Sequence, residues 1–225
     1  MEVNKENLLE DIVIVAITGA ISSGKSSVCS IFKEDSLPII DTDYLAKTII
    51  NSDTKIKEAI IKAFGEASFI DGKFNTKYIA NLIFGNEDYH SQNLQKLNSI
   101  IHPRVIELMI KNIEEYAQQN HKLIFVESAL IFEAGLEDGF DYIIMVDTNE
   151  EIRKNRFILR TGLNENDFNL RNNSQISPQF KKENSDFTIE NNKNLEQLRL
   201  TSKTLLEIIK ILPKKDFSKN DFAIS

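Results

Sequence analysis

Gly19-Ala-Ile-Ser-Ser-Gly24-Lys25-Ser26 has the spacing G-x-x-x-x-G-K-[ST], in which small residues let consecutive backbone N–H groups turn toward one anion. In such a loop Gly19, Ala20, Ile21, Ser22, Ser23, Gly24, Lys25, Ser26 and Ser27 wrap the β- and γ-phosphates of a nucleoside triphosphate, helped by the positive end of the helix that follows. Lys25 supplies a cation to the β/γ oxygens, and the Ser26 hydroxyl is a ligand for Mg²⁺. Arg156 and Arg160 stand four apart, hence on one helical face, where guanidinium groups neutralise charge growing on a transferring phosphoryl group; the alternative is a solvated face paired with Glu150 and Glu151. Glu127 ends the apolar run Leu123–Val126, where a carboxylate reaches Mg²⁺ through water; the alternative is a polar residue that only ends the strand. The chemistry these residues suit is phosphoryl transfer.

The elements that must position them follow from the patterning. Ile12–Ile17 is a continuous β-branched run, the signature of a buried parallel strand. Leu37–Ile40, Leu123–Val126, Tyr142–Val146 and Phe187–Ile189 read as further strands. A helix starts near Gly24, another runs from Glu150 to Arg160, and a last one from Leu195 to Leu212. Strands alternating with helices imply an α/β fold with a doubly wound parallel sheet. Tyr44–Gln119 has apolar residues at three- and four-residue spacing, with an Asp71-Gly72 turn between two helices. That block is too long for a simple crossover. The expected organisation of 1–225 is therefore a single domain: a core of 12–45 and 120–212, a helical acceptor-binding insert at about 46–119, a polar lid at about 161–186 over the sheet's C-terminal edge, and a loose tail at 213–225.

Composition narrows the class. The chain has 225 residues, 41% hydrophobic and 27% charged, enough apolar material for a real core. A net charge of −7 disfavours a bulk electrostatic grip on nucleic acid. Cys29 is the only cysteine, which excludes an internal disulfide and suits a small core residue better than a nucleophile. No apolar run reaches the length of a membrane span, and Met1–Asp11 lacks a signal pattern, so a cytoplasmic protein without membrane or nucleic-acid partners is expected. His90 and His121 are expected at the surface. A phosphate loop alone does not separate a small-molecule kinase from a GTPase or a motor ATPase. No Asn-Lys-x-Asp motif follows a later strand, and the short chain with a Lys- and Arg-bearing lid favours a kinase that closes over two substrates.

In order and spacing, the motifs from about Ile12 to Leu212 resemble the dephospho-coenzyme A kinase family. The likeness is carried by the phosphate loop, Asp41-Thr-Asp43, Asp71-Gly72 ahead of Ile83-Phe84, Leu97-Asn-Ser-Ile-Ile-His102-Pro103, and Ala129-Leu-Ile-Phe-Glu133. Val146-Asp147, Arg156 with Arg160, Arg171 with Gln175, and Ser185-Asp186-Phe-Thr-Ile-Glu-Asn191 complete it. Ala20 and Ser22 stand where the family usually has Gly, Ala129 where it has Pro, and Thr76 where it tends to have Arg. The resemblance implies transfer of the γ-phosphoryl of MgATP to the ribose 3′-hydroxyl of dephospho-coenzyme A. It implies that Asp43 accepts a hydrogen bond or proton from that hydroxyl; the alternative is a helix N-cap for Tyr44 onward. Asp41, His102 and Glu133 become acceptor contacts, with structural roles as alternatives. Arg171 closes on the phosphates, and Asn191 touches the adenine of ATP. A monomer or small homo-oligomer is expected. The rivals are a kinase for another small acceptor, such as a nucleoside monophosphate, and a non-catalytic nucleotide-binding protein.

Overall fold

The structure, a computed structural model, describes residues 11–215. Its strands are β1 (Val13–Thr18), β2 (Ile39–Asp41), β3 (Phe69–Ile70), β4 (Lys73–Phe74), β5 (Leu123–Glu127), β6 (Tyr142–Asp147) and β7 (Phe187–Glu190). Its helices are α1 (Lys25–Lys33), α2 (Thr42–Ser52), α3 (Thr54–Phe64), α4 (Thr76–Ile83), α5 (Asp88–Gln118), α6 (Glu150–Thr161), α7 (Glu165–Asn173), α8 (Pro178–Glu183) and α9 (Leu195–Ile209).

Five strands form one parallel sheet in the order β2-β5-β1-β6-β7, the doubly wound arrangement expected from the alternation of elements. β1 explains why its sequence does not alternate. Val15 and Ile17 pack with Val28 and Phe32 of α1 and with Leu205, Leu206 and Ile209 of α9. Ile12 and Ala16 lie in a second cluster with Met109, Ile113 and Ala117 of α5. Both faces are covered, so Val13–Ile17 is apolar throughout. The second strand starts at Ile39, two residues later than expected, because Pro38 has no N–H to give the ladder.

α5 links the sheet to the insert. Its buried residues Leu97, Ile101, Val105, Met109, Ile113 and Ala117 recur every four positions. Each such step overshoots a full turn by about 40°, so the buried stripe winds around the helix. Leu97, Ile101 and Val105 consequently face a third cluster with Ile49, Ile60, Phe64, Ile79 and Ile83, while the later residues face the sheet. The insert has its own core, and α5 belongs to both.

Three local expectations are corrected. Asp71-Gly72 is more than an interhelical turn: with φ of +49° and +76° it closes the β3–β4 hairpin, the pattern of a two-residue I′ turn. His90 is buried, its ring packed against Gly85, because the α4–α5 connection folds over it. Of the tail, Pro213 to Lys215 is held: Pro213 O accepts from the Tyr142 hydroxyl at 2.7 Å, and the Lys215 amide donates to Asp141 at 3.0 Å. The rest of the expected loose tail lies outside the described residues. The polar 161–186 stretch holds α7, opened by an Asn164/Asp167 capping box, and α8, opened by Ser177 and Pro178. No described helix is long and apolar enough to cross a membrane.

Candidate active site

The C-terminal ends of the strands bring the chemistry together. Asp41 lies in register with Glu127, which also pairs with Ile17 next to the phosphate loop. The loop leaves β1 at the centre of the sheet and enters α1, as the spacing requires.

Two glycines in this loop are demanded by their surroundings. A Cβ on Gly19 would lie 2.6 Å from Val146 O, and one on Gly24, at φ +98°, would lie 2.2 Å from Asn191 Nδ2. Ser22 has φ +59°, a region that Gly enters freely and other residues enter at a cost, whereas Ala20 is not in a positive-φ conformation. Of the two departures from glycine, only Ser22 is strained. Its hydroxyl meets Arg160 Nη2 at 3.3 Å. Ser22→Gly is expected to stabilise the nucleotide-free protein by about 1 kcal/mol in urea unfolding. A loss of stability instead would mean that the Arg160 contact outweighs the strain.

Within the described residues the amides of Ser22, Gly24, Lys25 and Ser26 donate to no acceptor, leaving an open cradle for an anion. The loop is braced from behind through the Ser23 carbonyl. It accepts from Thr148 Oγ1 at 2.8 Å, Asn191 Nδ2 at 2.8 Å and Arg156 Nη1 at 3.5 Å. Asn191 is buried, and its Oδ1 takes a further bond from Arg156 Nη2 at 3.4 Å. Its amide is thus committed to shaping the phosphate loop, where an adenine contact had been expected.

Lys25 folds back over the loop, its Nζ 3.0 Å from Gly19 O and 3.5 Å from Ala20 O. Burial lowers its pKa, with Asp43 and Glu127 pulling the other way. Ser26 Oγ donates to Glu127 Oε1 at 2.7 Å. The two residues read as Mg²⁺ ligands therefore adjoin, and Glu127 is the carboxylate beside the loop hydroxyl. A hydroxyl and a buried carboxylate are hard oxygen donors that Mg²⁺ completes with phosphate and water oxygens. Among the described residues no cluster of three or more His, Cys, Asp or Glu side chains could hold a metal without such a partner. Cys29 is buried behind this pair, and burial, then Glu127, pushes its thiol pKa well up, as befits an inert core residue.

The two aspartates divide the labour. Asp41 Oδ1 accepts from Tyr44 N at 2.9 Å and caps α2. Asp43, in the first turn of α2, is exposed, and its carboxylate has no hydrogen-bond partner among the described residues. It lines a 120 Å³ hole shared with His102, Asn98, Ser128 and Leu130. Burial lowers the His102 pKa, so the ring is neutral near pH 7. A second cavity of 560 Å³ shares Asn98 and Leu130 with the hole and reaches Ile21 in the phosphate loop. The phosphate loop and the cleft beside Asp43 meet there.

Glu133 lines the larger cavity, but its Oε1 is taken by Lys181 Nζ at 2.7 Å and Ile176 N at 3.0 Å. Arg171 is not brought to the phosphate loop. Its guanidinium lies 4.6 Å from the Phe84 ring centroid, and its Nη1 donates to Asp167 O at 3.0 Å, so it faces the insert. Arg156 and Arg160 do reach the loop, as their spacing implied.

Sequence reasoning missed Arg153 and Lys181, and named Gln175 in a motif without giving it a role. Arg153, fully buried, donates through Nε to Thr148 O at 3.1 Å and through Nη1 to Asn172 Oδ1 at 2.7 Å and Ile21 O at 3.4 Å. It precedes Arg156 by three residues, on the same helical face, and that periodicity was the available signal. Gln175 Oε1 accepts from Ile21 N at 2.9 Å, so the amide of Ile21 is tied to the lid and its carbonyl to Arg153 of α6. Lys181, fully buried, also donates to Ala129 O at 2.7 Å, and no sequence pattern marked it. Removing one hydrogen bond of the Gln175 kind costs about 1 kcal/mol. Gln175→Ala is thus expected to speed proteolysis within 161–186 about fivefold in the nucleotide-free protein, while global unfolding is unchanged; an unaltered cleavage rate would contradict this link.

Comparison with known proteins agrees with the geometry. The chain is 32% identical to a dephospho-CoA kinase of Listeria monocytogenes over 194 residues, 86% of this chain and 95% of that one. It is 31% identical to a dephospho-CoA kinase of Chlamydia muridarum over 201 residues, 89% and 98% of the two chains. The crystal structure of TT1252 from Thermus thermophilus superposes with a TM-score of 0.71 at 28% identity, covering 88% of this chain and 98% of that one. A dephospho-CoA kinase from Campylobacter jejuni shares the fold, with a TM-score of 0.57 at 22% identity over 87% and 96% of the two chains. The family model for dephospho-CoA kinase matches residues 13–197, and with that extent of agreement in sequence and fold the chain belongs to the dephospho-CoA kinase family.

Proposed function

We propose that this chain transfers the γ-phosphoryl group of MgATP to the ribose 3′-hydroxyl of dephospho-coenzyme A, giving coenzyme A and ADP. The observation that carries the reading is the division between the two aspartates. Asp41 caps α2, leaving the Asp43 carboxylate unbonded at the mouth of the acceptor hole and within electrostatic reach of Lys25.

In this reading the 3′-hydroxyl sits against Asp43, which orients its lone pair toward phosphorus and takes its proton as the new O–P bond forms. The bond from the γ-phosphorus to the bridging oxygen breaks, and ADP leaves with that electron pair. Lys25 and the open loop amides hold the phosphates, while Arg156 and Arg160 meet the charge that spreads over the transferring group. Ser26 and Glu127 would hold Mg²⁺, which when bound neutralises phosphate charge. His102 and Glu133 belong to the acceptor side, Glu133 also fixing Lys181 and the Ile176 amide just before α8. Residues 161–186 act as the lid and 46–119 as the acceptor-binding insert.

The test is ADP release from MgATP with dephospho-coenzyme A, with AMP, and with no acceptor. Turnover strongly dependent on dephospho-coenzyme A is expected. Release driven by AMP alone would favour a nucleoside-monophosphate kinase, and acceptor-independent nucleotide binding without release would favour a non-catalytic role.

A further inference from the structure

Lys181 has no exposed surface. Moving an ammonium group out of water is costly, and a buried ion pair seldom repays that cost in stability. This pair is not even saturated. Glu133 Oε1 takes Lys181 Nζ at 2.7 Å and the Ile176 amide at 3.0 Å, while Glu133 Oε2 is buried with no hydrogen-bond partner among the described residues. A network serving stability alone would be complete.

What Lys181 joins is more informative. Its Nζ also donates to Ala129 O at 2.7 Å, so it holds two points of residues 128–136, a stretch that forms neither strand nor α-helix. Ser128, Leu130 and Ala134 of that stretch line the hole that Asp43 shares, and Leu130 and Glu133 line the larger cavity. The helix α8 that carries Lys181 is fixed to the sheet. Lys182 Nζ lies 2.8 Å from Asp147 Oδ2 at the end of β6, and Asp186, just beyond α8, accepts from the Ile143 amide of β6 at 2.8 Å. The Glu133 carboxylate in turn holds the Ile176 amide, whose neighbour Gln175 holds the Ile21 amide of the phosphate loop. Sheet, lid and cleft wall are therefore joined at one ammonium group. That group is also near the reacting centre, because its charge is among the causes that lower the pKa of Lys25.

Resting on the phosphoryl-transfer reading given above, we propose that Lys181 is a positioning residue for the reaction: through Glu133 and the Ala129 carbonyl it fixes the cleft wall against α8, and so sets the spacing between that wall and the phosphate loop. It touches neither substrate itself. Two reactants held by facing walls depend on that spacing, and a misplacement of about 1 Å costs about a hundredfold in rate. Without the ammonium the wall shifts while the sheet and the phosphate loop stay in place.

Lys181→Met keeps the length of the side chain and removes its charge. With both substrates saturating it is expected to lower kcat for transfer to dephospho-coenzyme A by about twentyfold, with KM for MgATP within about twofold of wild type. The single change leaves Glu133 buried without its counterion, which costs stability, so the same change is also made in a Glu133→Gln background. There no charge is left unpaired, Gln still accepts from the Ile176 amide, and the double variant is expected to unfold in urea no earlier than wild type. Against Glu133→Gln, the Lys181→Met step is expected to lower kcat by more than about threefold. If Lys181 served stability alone, kcat would return with the unfolding midpoint. A loss of kcat below about threefold in either folded background would overturn the proposal, and so would a loss confined to KM for MgATP. A wild-type protein that does not phosphorylate dephospho-coenzyme A would instead overturn the acceptor reading on which the proposal rests.

Discussion

Asp43→Asn is expected to lower kcat for phosphoryl transfer to dephospho-coenzyme A by about a hundredfold or more, with KM for MgATP held within about twofold. The substitution keeps the size of the side chain and one acceptor oxygen but removes the charge that orients the hydroxyl and receives its proton. The local fold should tolerate it. Asp41, not Asp43, supplies the cap to α2, and Asp43 makes no hydrogen bond that folding depends on. What the fold loses is a favourable charge near a helix N-terminus, worth about 0.5 kcal/mol. A hundredfold fall in rate with an almost unmoved unfolding midpoint is therefore the signature of a group acting on substrate. Retention of more than about a tenth of wild-type kcat would remove Asp43 from the reaction and leave the rest of the site standing.

Lys25→Met is expected to reduce kcat/KM for MgATP by about a thousandfold, and yet to leave the nucleotide-free protein at least as stable as wild type. The two effects have one cause. In the absence of nucleotide the Lys25 ammonium is buried against the Gly19 and Ala20 carbonyls, and burial holds its pKa below the ordinary value. The unfolded chain binds that proton more tightly than the folded one does. Between the folded value and 10.5 the folded state therefore gains stability as pH rises, and below the folded value the full cost of the buried charge is present. Methionine has a similar length and no charge, so it lacks both this cost and this pH dependence. Urea unfolding of both proteins from neutral pH upward checks the point: wild type should gain on the variant as pH rises toward 10.5. A variant markedly less stable than wild type at neutral pH would mean that the carbonyl contacts outweigh desolvation.

Much of this site was legible because a few of its constraints are local. A phosphate loop must follow a buried strand and open a helix, and Ile12–Ser27 satisfies that in one stretch of sequence. Arg156 and Arg160 were readable from helical periodicity, and Glu127 from the strand that ends there, but its bond from Ser26 was not. The β3–β4 hairpin was hidden because its strands have two residues each, too short for any period to register. The burial of His90 and Lys181 was hidden for another reason. The surroundings of Lys181 come from segments remote in sequence, Glu133 and Ala129, and those of His90 from the irregular α4–α5 connection at Gly85, which no helical periodicity announces. Arg171 shows the same limit. Its place on α7 was readable in outline, but its direction is set by Phe84 of the insert, which lines the same cavity and is remote in sequence. For Asn191 the family resemblance implied an adenine contact, and only the three-dimensional structure puts its amide under Ser23.

The most direct measurement of the central claim is where the phosphate goes. Dephospho-coenzyme A incubated with MgATP and this protein should yield one new phosphomonoester by ³¹P NMR, its resonance coupled to the ribose H3′ proton, in step with ADP. A phosphomonoester at another position, or ADP with inorganic phosphate and unchanged dephospho-coenzyme A, would contradict the account.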